Sequence, residues 1–354
     1  MPANRTIFIT GASGFLGSAL VNELLSLHGD YNIYSLVRKS IGAGRDRVNE
    51  INGDTTKANL GLDKKTLDNL TGTVDAIYHL AAITDLNNPI EKLRRVNVDG
   101  TKNVLDFAMQ CKNRGKLKKV NHISTAYVAG KRSLKKCRVM EDDLDLGQGF
   151  NNGYEQSKCE GEKCVNEYRK RGLDIDIFRP GIILGRYKDG VTTNFKMMYQ
   201  PLHFFSLGLF DRIPAPAYNV GNLINLDVAA QAICSISSES NEKNMTYHVV
   251  SPETISLDYF LSMASEYFGF KKPEFVPVEK FDIYKEYTPV KRKMVEPYLP
   301  YFNYAAEFDM TNTLGAFRGK DFVFPEFDDA NFTVLFEYCA KAGFIKRKNH
   351  AVIG

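Results

Sequence analysis

"RTIFITGASGFLGSALVNELL", residues 5–25, decides the fold. An apolar, β-rich run from Ile7 to Thr10 turns through Gly11, Gly14 and Gly17. It continues with Leu16, Leu20, Leu24 and Leu25 at helical spacing. Strand, glycine turn and helix together are the context that a dinucleotide fingerprint requires. Gly11 permits the tight turn, Gly14 lets the backbone approach a pyrophosphate, and Gly17 lets helix and strand pack closely. Ser13, Phe15 and Leu16 fill the turn between them and are read as cofactor-binding with the three glycines. The helix start offers free N–H groups and a positive dipole end to phosphates.

The rest of the 354 residues is consistent with one large α/β unit or two lobes sharing a core. Net charge is +4, too small to argue for nucleic acid. The Lys/Arg clusters are short and scattered, as on a solvated surface. Six cysteines (111, 137, 159, 164, 234, 339) form neither C-x-x-C nor a metal-ligand spacing, so they read as reduced thiols of a cytoplasmic protein with no metal. No signal peptide is visible, and no apolar run approaches the ~18–20 residues of a membrane span.

Beyond the glycines, "NIYSLVRKS" (32–40) is a second strand. A ribose with a free 2′-hydroxyl usually meets an Asp or Glu after that strand. Here stand Arg38 and Lys39 instead, and a guanidinium can pair bidentately with a 2′-phosphate. The cofactor implied is NADPH, with Arg38 as main contact and Arg45 and Arg47 as second clamps. "AIYHLAAIT" (76–84) is a buried strand ending in small residues, and Ala81 lets the chain pass close to the cofactor. "RVNVDGTKNVLDFAMQC" (95–111) reads as one helix, with Asn97 placed to bond backbone near the site. "KVNHISTAYVAG" (119–130) is the fifth strand and ends in Ser124 and Thr125. Ligand sites of open parallel sheets lie beyond such carboxyl ends.

Tyr-x-x-x-Lys occurs four times, at Tyr127/Lys131, Tyr154/Lys158, Tyr267/Lys271 and Tyr287/Lys291. Tyr287/Lys291 encloses Pro289, which disfavours a helix. Tyr267/Lys271 encloses Gly269 and follows no strand with a terminal hydroxyl, and Tyr127/Lys131 straddles Gly130 in a turn. Only Tyr154/Lys158 opens a helix about 30 residues after the fifth strand, and the two share a helix face. A phenol titrates near ~10 and a neighbouring ammonium lowers that value. Tyr154 is thus the expected proton donor to an oxyanion, with Lys158 as its helper and holder of the nicotinamide ribose.

The G-x-x-G-x-x-G spacing, "GDTTKANLGL" (53–62), "ISTAYVAG", "NNGYEQSKCEGE" and "FRPGIILG" resemble the extended short-chain dehydrogenase/reductase family, in its thioester reductase and fatty acyl reductase branch. "YFNYAAEFDMTNTLGAF" (301–317) is similar to a Phe-Asp-x-x-Asn-Thr element late in that branch. The resemblance implies a Rossmann-type doubly wound parallel sheet with a smaller, mostly C-terminal substrate lobe. It implies that Thr125 takes the hydroxyl role, with Tyr154 and Lys158 catalytic. Asp54, after a third short strand, is implied to contact the adenine, and Pro180, at the exit of the sixth strand (174–185), lies in the cofactor site. Residues 1–185 plus 219–235 are expected to form the NADP-binding domain, and 186–218 plus 236–354 the substrate lobe.

The implied reaction is hydride transfer from NADPH to an acyl thioester, on coenzyme A or a carrier protein supplied separately, giving an aldehyde and, after a second turnover, an alcohol. Fold alone does not fix function. A nucleotide-sugar epimerase or dehydratase, a hydroxysteroid-type dehydrogenase, and a non-catalytic NADPH-binding regulator are the alternatives. "MMYQPLHFFSLGLF" (197–210) reads either as plain core or as an acyl tunnel or membrane-touching surface.

Overall fold

Strand β1 (Arg5–Thr10) is buried from Ile7 to Thr10. That burial on both faces is what a parallel strand covered by helices requires. Ile7 joins an apolar cluster with Leu20, Leu24 and Val228 on one side of the sheet, and Phe8 joins Ile77, Leu105, Phe107 and Val165 on the other. The computed structural model describes residues 5–347, apart from 28–30, 40–45, 217–218, 220 and 240–241.

After β1 come α1 (Phe15–Leu27), β2 (Tyr31–Val37), β3 (Val48–Asn52), α2 (Lys64–Thr73), β4 (Ala76–His79), α3 (Ile90–Asn97), α4 (Asp99–Asn113) and β5 (Lys119–Ile123). They are followed by β6 (Arg138–Val139), α5 (Gly153–Lys170), β7 (Ile175–Pro180), β8 (Ile182–Leu184), α6 (Tyr199–Ser206), β9 (Arg212–Pro214), β10 (Leu223–Asn225), α7 (Leu226–Glu239) and β11 (Thr246–Val249). The remainder holds α8 (Leu257–Phe268), β12 (Glu274–Val276), α9 (Ile283–Glu286), α10 (Pro289–Val295), α11 (Leu299–Phe302), β13 (Glu307–Phe308), α12 (Thr311–Ala316) and α13 (Asp329–Lys341).

Seven strands form one parallel sheet in the order β11-β7-β5-β4-β1-β2-β3. The order reverses between β1 and β4, and that switch point opens the crevice where nucleotides sit in such sheets. The α/β fold with its Rossmann-type parallel sheet is therefore as the sequence implied.

Several boundaries differ. Residues 95–111 form two helices, because the chain bends at Val98. The sixth strand splits: β7 stays in the main sheet, whereas β8 pairs with β10. The sheet's last strand is β11, beyond the 219–235 segment expected to return to it. Its partner β7 has Phe178 stacked on Tyr247 of β11, a register that periodicity alone does not announce. A third apolar cluster, built largely from residues 182–345, forms the lobe over the strand ends. Tyr199, Leu202, Phe204, Phe205 and Phe210 are buried in it, which is the plain-core reading of 197–210. Among the described residues, no helix is long and apolar enough to cross a membrane.

The late Phe308–Thr313 segment is latched onto the sheet. β13 runs parallel to β6, and the buried Glu141 carboxylate accepts the N–H groups of Asn312 and Thr313 and the Thr313 hydroxyl.

Candidate active site

The glycine turn lies at the switch point. Gly11 has φ +77°, and a Cβ there would meet the Ala81 backbone nitrogen at 2.7 Å. A Cβ on Gly17 would lie 2.1 Å from the Gly11 oxygen. A Cβ on Gly14 would meet only that oxygen, at 3.1 Å, and otherwise open space. Gly11 and Gly17 are thus required by the protein's own backbone, whereas Gly14 and Ser13 face outward. Phe15 and Leu16, partly buried, open α1 beside them.

Arg38 follows the end of β2, and the register Val37↔Asn52 sets it beside the turn that carries Asp54. Burial pushes the Asp54 carboxyl up, but the Thr56 N–H and hydroxyl, each 2.9 Å from Oδ1, outweigh it together with the charges of Arg38 and Lys57. The net effect holds that carboxyl below its ordinary range. Arg47 is at the wrong end of the strands to be a second clamp. It precedes β3, whose Val48 pairs with Ile33 at the start of β2, and its guanidinium donates to the Leu25 carbonyl at the far end of α1. Arg45 lies outside the described residues.

Asn97 does more than bond one backbone group. Its side chain accepts from Ile83 N at 2.8 Å, donates to Ile83 O at 3.0 Å, and donates to Ser157 Oγ at 2.9 Å. The loop after β4, with Ala81 in it, is thereby tied to α5. Beneath it, the His79 ring bridges Thr10 Oγ1 (2.7 Å) and Thr101 Oγ1 (3.0 Å). Burial, and then the Lys158 charge, push His79 down to about 3, so it remains neutral. A polar residue at the end of a buried strand was the only sequence signal for His79, and it was not singled out.

Helix α5 carries the tyrosine and lysine. The Asn152 side chain caps it by accepting from Glu155 N at 3.0 Å, which puts Tyr154 in the first turn. Gly161 fits because a Cβ there would stand 3.0 Å from the Asn97 oxygen, so α5 and α3 approach closely. The structure brings Tyr154 and Thr125 together: the Thr125 hydroxyl lies near enough to the phenol to lower its titration. Thr125 also reaches the Pro180 carbonyl at 3.5 Å, which places Pro180 at the same rim. Ser124 Oγ, its neighbour, is buried without a partner among the described residues.

Lys158 is positioned differently from the sequence expectation. It is buried, and its Nζ donates to the Ile123 carbonyl at 2.7 Å. Burial pushes it down to about 8, partly offset by the Glu162 charge. The phenol of Tyr154 is not lowered either. Burial raises it to about 12, opposed by the nearby Thr125 hydroxyl and helped by the Glu155 charge. In this form desolvation wins over the ammonium, because the ammonium is aimed at a carbonyl.

Glu155, next to the tyrosine, is buried and was missed in the sequence. It accepts from Asn151 N at 2.9 Å and from Tyr304 Oη at 2.7 Å, and Tyr301 lies close by. These tyrosines come from the lobe and close over Tyr127: Tyr304 stacks on its ring at 4.9 Å and Tyr301 meets it edge-on at 5.5 Å. Behind them lies a cavity of about 20 Å³, with Tyr127, Met198, Leu257, Phe260, Tyr301 and Tyr304 in its wall.

Residues 9–48 and 42–233 match the family described as Male sterility protein. The L-2-aminoadipate reductase of Schizosaccharomyces pombe is 25% identical over 370 residues, covering 94% of this chain and 26% of that protein. The carboxylic acid reductase of Mycobacterium tuberculosis is 29% identical over 310 residues, covering 73% of this chain and 25% of that protein. Among solved structures, the terminal R domain from the myxalamid PKS-NRPS biosynthetic pathway superposes with a TM-score of 0.82 at 25% identity, covering 98% of this chain and 93% of that one. The chain thus spans about a quarter of the length of these two curated relatives.

Proposed function

Because this chain belongs to the Male sterility protein family, we propose that it is an NADPH-dependent reductase acting on the carbonyl of an acyl thioester. The observation that carries the reading is the likeness to a terminal R domain over 98% of the chain, lobe included. The residues present fit the cofactor. The glycine cradle has room on its outer side only at Gly14, the start of α1 faces it, and Arg38 stands where a 2′-phosphate would need a cation. The turn of Gly11, Ser13, Gly14, Phe15, Leu16 and Gly17 would hold the pyrophosphate, Arg38 and Asp54 the adenosine end, and Ala81 and Pro180 would flank the cofactor between.

When bound, NADPH supplies the hydride that reduces the thioester carbonyl carbon. Thr125 and Tyr154 donate hydrogen bonds to the carbonyl oxygen as it gains charge. A phenol raised to about 12 stays protonated through the working range, which suits a donor in the reductive direction. Tyr154 protonates the oxygen, and loss of the thiol leaves the aldehyde. Lys158, held at the Ile123 carbonyl, is placed to meet the nicotinamide ribose hydroxyls and to restore charge near the phenol.

The thioester is carried on coenzyme A or a carrier protein. Residues 1–185 plus 219–235, extended by β11, form the cofactor domain, and the remainder of 186–218 and 236–354 the substrate lobe. Six unpaired cysteines suit a cytoplasmic setting. The test is loss of NADPH absorbance with short- to long-chain acyl thioesters on coenzyme A and on pantetheine. Turnover that disappears in Tyr154→Phe is expected. Retained NADPH binding with no turnover on any thioester overturns the reading.

A further inference from the structure

Three tyrosines, one of them two residues after Thr125, line the cavity, and their hydroxyls are not equivalent. Tyr304 donates to Glu155, and the Tyr301 hydroxyl accepts from the Asn152 amide at 3.0 Å. Tyr127 is 3% exposed, and its hydroxyl has no partner among the described residues. Burying a hydroxyl unsatisfied is unfavourable, and phenylalanine would fill the same stack without that penalty. The ring is fixed by Tyr304, Tyr301 and Phe308, so it cannot turn its hydroxyl to solvent. Its backbone N–H is bonded to Thr125 Oγ1 at 3.3 Å, so it is tied to the hydroxyl proposed to meet the reacting oxygen.

Most of the remaining wall is apolar, with Ile182, Met198, Leu223 and Phe260 prominent in it. Its two polar side chains are already engaged with backbone: Asn219 accepts from Leu257 N and donates to the Phe302 carbonyl, and Ser256 accepts from Tyr259 N. The free space, about 20 Å³, takes one small group and not a long chain. A single unsatisfied hydroxyl in such a wall does not match a pantetheine arm, whose amides need several partners.

We propose that this cavity receives a small oxygen substituent carried on the acyl chain a few carbons from the thioester, with the Tyr127 hydroxyl as its hydrogen-bond partner. The substrate class is thus the hydroxyacyl thioesters, in preference to unsubstituted acyl thioesters of equal length. This rests on the thioester-reductase reading above. Tyr127 is a specificity residue in it and takes no part in proton transfer.

The test compares butyryl- and 3-hydroxybutyryl-pantetheine with the wild type and Tyr127→Phe, reading kcat/KM from NADPH absorbance. The wild type is expected to favour the hydroxyacyl thioester by about tenfold, the worth of one buried hydrogen bond, and the variant to bring the ratio to about one. Turnover of butyryl-pantetheine is expected to stay within about twofold, because that substrate has nothing to lose. The melting temperature of the variant is expected to hold or rise, since no internal bond is removed. A fall in melting temperature, an equal loss on both substrates, or no wild-type preference overturns this inference and leaves the reductase reading standing. Silence on both substrates in the wild type, together with silence across the longer panel, overturns the reading itself and this inference with it.

Discussion

Lys158 stands one helical turn from Tyr154, yet its ammonium group is bonded to the Ile123 carbonyl, 2.7 Å away. Burial holds it at about 8, below its ordinary 10.5. The folded chain therefore binds the proton less well than the unfolded chain does. The penalty is felt in full below pH 8, shrinks as pH rises, and is gone above 10.5. Wild-type stability should gain about 3 kcal/mol across that window from this group alone. Lys158→Met removes the slope, while its loss of the Ile123 bond is independent of pH. Urea unfolding of both proteins between pH 7 and 10.5 should show the wild type gaining on the variant. Parallel curves would show that Lys158 keeps its ordinary titration.

Much of the cofactor half was legible because its constraints are local. Gly17 is dictated by backbone contact with Gly11 and Ala12 a few residues before it, and Gly11 by its own φ of +77°, which the sequence pattern records directly, although Gly11 also packs against Ala81 beyond β4. Tyr154 and Lys158 were found because theirs is the one Tyr-x-x-x-Lys pair that opens a helix about 30 residues after the strand ending in Thr125. The direction of their titration was not legible, because it depends on how deeply α5 is buried and on where Lys158 points. Glu155 was missed for a related reason. Its partner Tyr304 lies about 150 residues away, and no periodicity signals a contact across that distance. The split of 174–185 into β7 and β8 likewise depends on β10, a strand that follows only after α6.

Arg38 gives a prediction on cofactor choice. It lies beside Asp54 on the exposed rim of the crevice, where a 2′-phosphate would sit. Arg38→Ala should weaken NADPH binding by about tenfold or more, the worth of a charge-assisted hydrogen bond, and leave NADH within about twofold. Titration of nucleotide fluorescence measures both. Equal losses for the two nucleotides would mean that Arg38 does not read the phosphate.

The glycines separate architecture from ligand contact. A methyl on Gly17 collides with two backbone atoms of Gly11, at 2.1 and 2.9 Å, so Gly17→Ala must open the turn. It should lower stability by about 1–3 kcal/mol and abolish nucleotide binding together. A methyl on Gly14 meets only one oxygen at 3.1 Å. Gly14→Ala should leave the melting temperature nearly unchanged while NADPH affinity falls. A Gly14→Ala protein that binds NADPH like the wild type would remove the pyrophosphate from that position.

One further turn along α5 from Lys158, Glu162 forms a buried ion pair with Arg179, N to O 2.7 Å, with side chains 0% and 2% exposed. Arg179 also donates to the Glu141 carbonyl at 3.0 Å, so one guanidinium joins α5, β7 and the segment that latches Phe308–Thr313. Removing either partner leaves the other charge buried and unpaired. Arg179→Met or Glu162→Leu alone should destabilise by about 3–5 kcal/mol, and the double variant by clearly less than the sum. Glu162→Leu should further depress the Lys158 titration, since Glu162 is the charge that supports it. Urea unfolding of the four proteins measures the coupling. Additive losses would mean that the two charges are stabilised by their other contacts and not by each other.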